Sequence, residues 1–337
     1  MRDLVQLASK LGVELVGLGI QAAEPVKVAE QAAVRFREVH DDGERQQLAV
    51  AQLLSRALAG MPAKIDAAAV HVLMQSWSTN LRGMVIAGAL ADVAPAFLEQ
   101  FLDEVIALDP RMGFIVGAAA FLPEGSRARI WTQLATDPRE AVRQHFFALL
   151  GRHKRLVPPG TLAKPQVPST TLTTVLGSGL RDSSASVRER AIAVVYGLGV
   201  TDEFRDALLK LVHDDSLEVR RYALVSLGTM HDEQSLAVLV ERLEKAPQPE
   251  ATSAIWALSR RPDGIDRVLR LAGTHGWLDD EVLGAFAEVA VPVSDEQIAD
   301  LAARTASPEF ERLKQRHLDR TRGGAPEYGP DGRIRWE

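Results

Sequence analysis

Three His–Asp dipeptides, His40-Asp41, His213-Asp214 and His231-Asp232, are the obvious places to look for chemistry, because imidazole and carboxylate together can hold iron, manganese or zinc. No His-Glu pair accompanies them. The chain has no cysteine, which excludes a disulfide framework, a thiolate nucleophile and Cys-ligated zinc. A Gly-x-Ser-x-Gly elbow, a phosphate-binding loop of the Gly-x4-Gly-Lys type and His-Glu-x-x-His are all missing. Gly17-Leu-Gly-Ile lacks the third glycine and the preceding strand of a dinucleotide loop. The expectation is no catalytic residue, no metal and no cofactor. What does recur is a second pairing: Asp137/Arg143, Asp182/Arg188 and Asp214/Arg220, each six residues apart.

Those pairs sit in a larger pattern. Leu180-Arg-Asp-Ser-Ser-Ala-Ser-Val-Arg-Glu-Arg-Ala191 returns 32 residues later as Val212-His-Asp-Asp-Ser-Leu-Glu-Val-Arg-Arg-Tyr-Ala223. A repeat of this length is one helical hairpin, which cannot bury its apolar face alone and must stack on its neighbours. Weaker copies begin near Leu81, Arg111, Glu250 and Glu281. Small residues at helical spacing let helices approach closely. Val187, Ala191, Val195, Val219, Ala223 and Leu227 are therefore expected between hairpins, in a chain that is overwhelmingly helical and without a sheet. The other helix of each hairpin follows a Gly or Asp break, as at Asp202-Glu-Phe-Arg and Asp232-Glu-Gln-Ser.

Between Val142 and Val187 the spacing grows to 45, and the excess holds Val157-Pro-Pro-Gly-Thr-Leu-Ala-Lys-Pro-Gln-Val-Pro168, whose prolines cannot lie in a helix interior. This reads as a tolerated loop insertion or as a loop that contacts a partner. The expected organisation is an N-terminal array over 1–155, a Pro-rich connector over 156–169, a C-terminal array over 170–320 and a flexible tail over 321–337.

Near 46% apolar, 25% charged and 5% aromatic residues, composition is that of a globular chain whose cores are built from Ala, Leu and Val. No apolar run is long enough to cross a bilayer. Asp3 and Lys10 interrupt what would be the apolar core of a signal peptide, so Met1–Gly12 reads as a first helix. Absence of cysteine fits a reducing cytoplasm.

The Asp-x5-Arg pairs, each with Val before the Arg, and Ala three residues after it in the last two, resemble the HEAT repeat superfamily, including its bacterial HEAT-like branch, over about residues 130–235. The resemblance implies an all-α fold, a right-handed α-solenoid of stacked helical hairpins, used as a non-enzymatic protein-binding scaffold or adaptor. It also implies that Asp137, Asp182 and Asp214 lie at the turns inside hairpins. Arg143, Arg188 and Arg220 would lie on the second helices, all six forming a structural ladder between neighbouring repeats. Glu250 begins a repeat lacking both residues, so the ladder is expected to stop there. Asp214 has a ladder partner in Arg220, which counts against metal at His213-Asp214.

Positive charge is concentrated in the middle of the chain. Between Arg139 and Arg190 there are nine Lys or Arg against three Asp or Glu, in a chain of net charge −6. Gly151-Arg-His-Lys-Arg155 is the densest cluster. Arg152, Lys154 and Arg155 read either as the cationic end of a helix or as a docking patch for a protein partner with an acidic surface. Some branches of the family bind nucleic acid, and a DNA glycosylase-like alternative would need a carboxylate pocket with rings, to which Trp131 could contribute. A lone Trp in such an array is more often core or interface, and the acidic balance argues against nucleic acid. A lyase- or chaperone-like action on a cofactor-bearing partner is the other alternative that the family offers. The oligomeric state is left open.

In the tail, Gly329-Pro-Asp-Gly332 is a turn sequence and Arg333-Ile-Arg-Trp336 alternates as a short strand would. A lone two-stranded hairpin is marginal in water, so Tyr328, Ile334 and Trp336 would anchor the tail on the last repeat or on a partner, unless the end is disordered.

Overall fold

A computed structural model describes residues 8, 13, 15–21, 24–77, 82–109, 113–156, 170–245, 248–261, 264, 266–268, 270, 294–304, 308–321, 327–328 and 334–335. They fall into two compact units, 1–194 and 195–337. The first unit contains α1 (Pro25–Glu38), α2 (Asp42–Leu58), α3 (Ala67–Trp77), α4 (Arg82–Val93), α5 (Pro95–Leu108), α6 (Gly113–Ala119), α7 (Glu124–Ala135), α8 (Glu140–Leu156), α9 (Thr170–Gly179) and most of α10 (Ala185–Leu198). The second contains a 3-10 turn (Asp202–Phe204), α11 (Arg205–Leu211), α12 (Leu217–Leu227), α13 (Glu233–Lys245), α14 (Gln248–Leu258), α15 (Asp295–Arg304) and α16 (Pro308–Thr321). The fold is all-α, with hairpins stacked in solenoid fashion inside each unit.

Sequence chemistry sets the helix ends. Pro25 and Pro95 open α1 and α5, where a missing N–H and a fixed φ cost nothing. Asp41 caps α2 by accepting from the Glu44 N–H at 2.8 Å. Asp232 caps α13, accepting from the Ser235 N–H at 2.9 Å and from its hydroxyl at 2.7 Å. Just beyond α10, Gly199 ends the helix with a φ of +71°, which a side chain would oppose.

Packing follows the apolar spacing. Val187, Ala191, Val195, Val219, Ala223 and Leu227 are all completely buried. Burial of a Val or Leu side chain contributes about 1.5–3 kcal/mol, so each repeat gains most of its stability from its neighbours. First helices stack on first helices, as α9 on α7, and second helices on second helices, as α8 on α6 and α14 on α12. One of these crossings is close at Gly228, directly after α12. A Cβ there would lie 2.7 Å from the Cα of Ala257, so only a hydrogen admits the approach.

Stacking in the first unit does not stop at the Pro-rich interruption. On its far side, Thr171 donates through its N–H and hydroxyl to Glu124 of α7. Ser184 donates to Glu140 of α8 at 2.7 Å. Residues 157–169 themselves, the first-helix reading of 1–12 apart from Ala8, and the repeat beginning near Glu281 lie outside the described residues.

The expectation of no sheet meets one exception. β1 (Glu327–Tyr328) and β2 (Ile334–Arg335) pair antiparallel, Glu327 opposite Arg335 and Tyr328 opposite Ile334. The alternation at Arg333–Trp336 outweighs the helical bias of the rest of the chain because the repeat pattern of the sequence does not extend to it.

Candidate functional site

Each paired arginine reaches back to its own turn and, where its next neighbour is described with it, forward to the following repeat. Nη1 of Arg143 donates to the Asp137 carbonyl at 2.8 Å, Nη1 of Arg188 to the Asp182 carbonyl at 2.8 Å, and Nη1 of Arg220 to the Asp214 carbonyl at 2.7 Å. The six-residue spacing therefore serves the aspartate backbone. Forward contact uses the rest of the fork. Arg143 grips the Asp182 carboxylate with two bonds, Nε to Oδ2 at 2.7 Å and Nη2 to Oδ1 at 3.0 Å. The aspartate side chains in turn hold their loops: Asp182 accepts from the Ser184 N–H at 2.8 Å and Asp214 from the Ser216 N–H at 2.9 Å.

The ladder runs past the point at which the sequence ends it. Arg220 meets Glu250, in the first turn of α14, with Nε to Oε1 at 2.9 Å. Arg242 of α13 approaches the other oxygen of Glu250 at 3.3 Å. A glutamate two carbons from its backbone, placed inside the helix, substitutes for an aspartate in the turn. Its side chain is only 3% exposed, so both guanidinium groups are needed to hold the charge.

Burial acts to raise the carboxyl of Asp182, but hydrogen bonds from Arg143 and the Ser184 N–H outweigh it and hold the group below the usual carboxylate range. Asp137 is also held low, first by the hydrogen bonds of Arg139 to its carboxylate. Its carboxylate thus bonds within its own turn, while its carbonyl meets Arg143. On α5 and α7, Ser126 and Arg129 hold Glu99 low in the same way, and Arg129 also forks onto Asp103 with two bonds of 2.9 Å.

The three His–Asp pairs are used locally. Asp41 and Asp232 are helix caps, Asp214 holds its turn, and the His213 ring takes a 2.6 Å contact from Arg242. Among the described residues no group of three or more His, Asp or Glu is placed to hold a metal ion. Trp131 is buried, edge-on to Phe146, with its indole N–H donated to the Val116 carbonyl at 3.2 Å. It is a core residue. None of the described helices is long and apolar enough to cross a membrane.

Arg152, Lys154 and Arg155 fall in the last two turns of α8, and their side chains lie outside the described residues. Tyr328 belongs to β1 with its backbone paired, while Trp336 lies outside the described residues.

A different group stands out on the second unit. Tyr222 on α12 is 40% exposed, and Val225 one turn further on and Trp256 of the adjacent α14 are half-buried. Arg221 joins the two helices, donating to Ser253 Oγ at 3.3 Å and to Glu218 of its own helix at 3.3 Å. One turn after Trp256, exposed Arg260 donates to the Tyr196 phenol oxygen at 2.5 Å across two repeats. In the sequence, Tyr222 stands where the preceding copy carries Arg190, so a ring at an outward helix position was the one local signal for this face.

Residues 173–259 match the family model described as HEAT repeats. No curated protein matches the sequence. The matched span holds the complete hairpins α11–α12 and α13–α14, the turn aspartates Asp182 and Asp214, and the forward link from Arg220 to Glu250. Over this span the chain is similar to the HEAT repeat superfamily, in agreement with the stacked hairpins and the paired arginines.

Proposed function

We propose that this chain is a non-enzymatic protein-binding scaffold or adaptor working in the cytoplasm. The observation that carries this reading is how the chemistry-bearing side chains of the repeats are spent. The turn aspartates, Glu250 and the paired arginines are bonded to one another and to helix ends, which fixes hairpin to hairpin. Among the side chains the second unit leaves accessible are exposed Tyr222, half-buried Trp256 and exposed Arg260, residue types that dominate protein interfaces. HEAT repeats in general serve protein interaction, which agrees with this use.

The test is to incubate the purified chain with extract of its native host at low and moderate salt and identify what is retained. Proteins kept at both salts support the scaffold. Retention of nucleic acid instead, with affinity falling about 10³-fold or more between 50 and 200 mM salt, would replace the reading with phosphate recognition. Exchanging Arg152, Lys154 and Arg155 together for Glu should slow association with an acidic partner about ten-fold and leave the thermal midpoint nearly unchanged, since exposed charges set on-rates more than stability. An unaltered association rate assigns the cluster to a solvated helix end.

A further inference from the structure

We propose, building on the scaffold reading, that the face made by Tyr222, Val225, Trp256 and Arg260 binds an extended peptide segment whose apolar side chain stands two residues from a carboxylate. The spacing is set by α14. Trp256 lies in its last turn and Arg260 two residues past its end, where the Ser259 N–H to Ile255 and the Arg260 N–H to Ala257 carbonyl continue the winding, so the two stand roughly 6 Å apart along the helix direction. An extended chain rises ~3.3 Å per residue and returns to the same side every second residue, so positions i and i+2 match that interval.

The charge at each end gives the segment its direction. Arg260 donates to a neutral phenol, so its charge is uncompensated by that contact and it keeps further N–H donors for a carboxylate. Tyr196 holds the guanidinium in place before the partner arrives, which reduces the ordering cost of binding. At the opposite end Arg221 is occupied by Glu218 and Ser253, and Glu218 is exposed. A carboxylate placed there would face another carboxylate, so the acidic residue belongs at the Arg260 end. Between the two ends, Tyr222 is the one large apolar side chain exposed among the described residues of the second unit, and together with Val225 and Trp256 it supplies the seat for the apolar anchor.

The experiment uses the full chain and two fluorescein-labelled peptides that differ only in a Leu-Ser-Glu or Leu-Ser-Lys core within Gly/Ser flanks, titrated to millimolar concentration by anisotropy. The Glu peptide should bind about ten-fold more tightly than the Lys peptide. Arg260→Glu should invert that preference, Tyr222→Ser should weaken both peptides, and Tyr196→Phe should weaken the Glu peptide a few-fold without inversion. Arg260 is exposed, so the thermal midpoint of Arg260→Glu serves as the folding control. Equal affinity for both peptides, or a preference for Glu that survives Arg260→Glu, overturns the proposal. So does the failure of both to bind while proteins are still retained from host extract, an outcome that leaves the scaffold reading in place. If no protein is retained from extract either, the scaffold reading fails with it.

Discussion

Arg220→Ala should destabilise the chain more than Glu250→Gln, although both break the same ion pair. Glu250 is the buried partner, and without Arg220 its charge rests on Arg242 alone at 3.3 Å. Removing one member of a buried pair costs about 3–5 kcal/mol, and because the Arg220 side chain keeps 22% of its surface in water, we expect about 3 kcal/mol. Glu250→Gln retains an oxygen facing Arg220, and the two arginines keep other partners, the Asp214 carbonyl and the His213 ring. The expected loss is about 1–2 kcal/mol, that of weakening a charge-assisted hydrogen bond. In the double variant the losses should fall short of additive by about 1–2 kcal/mol. Urea unfolding is the appropriate assay, because guanidinium chloride would screen the charges being measured. Losses within about 0.5 kcal/mol for both variants, the reverse order, or strict additivity would refute the assignment of Glu250 as the final acceptor of the ladder.

Gly228→Ala should cost about 1–3 kcal/mol by forcing α12 away from Ala257, whereas Gly197→Ala, in open space on α10, should gain about 0.5–1 kcal/mol; the paired urea midpoints check both. Asp182 has a folded-state pKa depressed below the ordinary 3.8, so its stabilisation is complete above that value and is lost as pH falls through the folded one. The urea midpoint should therefore drop more steeply between about pH 5 and pH 3 in the native chain than in Asp182→Asn, and equal slopes would show that Arg143 does not stabilise the charged form.

The repeated Val-Arg-x-x-Ala segment was readable from sequence because burial between stacked helices demands small apolar residues at fixed intervals, and Val187, Ala191, Val219 and Ala223 occupy those intervals. The Asp-x5-Arg spacing was equally readable, but half of its physics was not. A spacing inside one repeat registers the bond from arginine to its own turn carbonyl. The forward bond depends on what the next repeat presents, and geometry accepts Glu250 from a helix as well as Asp182 from a turn. The face at Tyr222 and Arg260 was hidden for a related reason. Tyr196 and Arg260 are 64 residues apart, a separation at which no local pattern connects them. The tail hairpin was legible in its turn residues and in the alternation after them, although the general helical reading of the chain left no room for a sheet.

The bonds from Thr171 to Glu124, from Ser184 to Glu140 and from Asp182 to Arg143 join the two sides of the Pro-rich insertion without using it. Covalent continuity there then contributes only effective concentration, a term that changes slowly with the length of chain closing the gap. A backbone cut anywhere in 157–169 should leave two pieces that stay together, and the same position suits a new pair of termini or the insertion of a foreign domain. For the first unit, the order in which its hairpins are strung on the chain matters less than the order in which they stack.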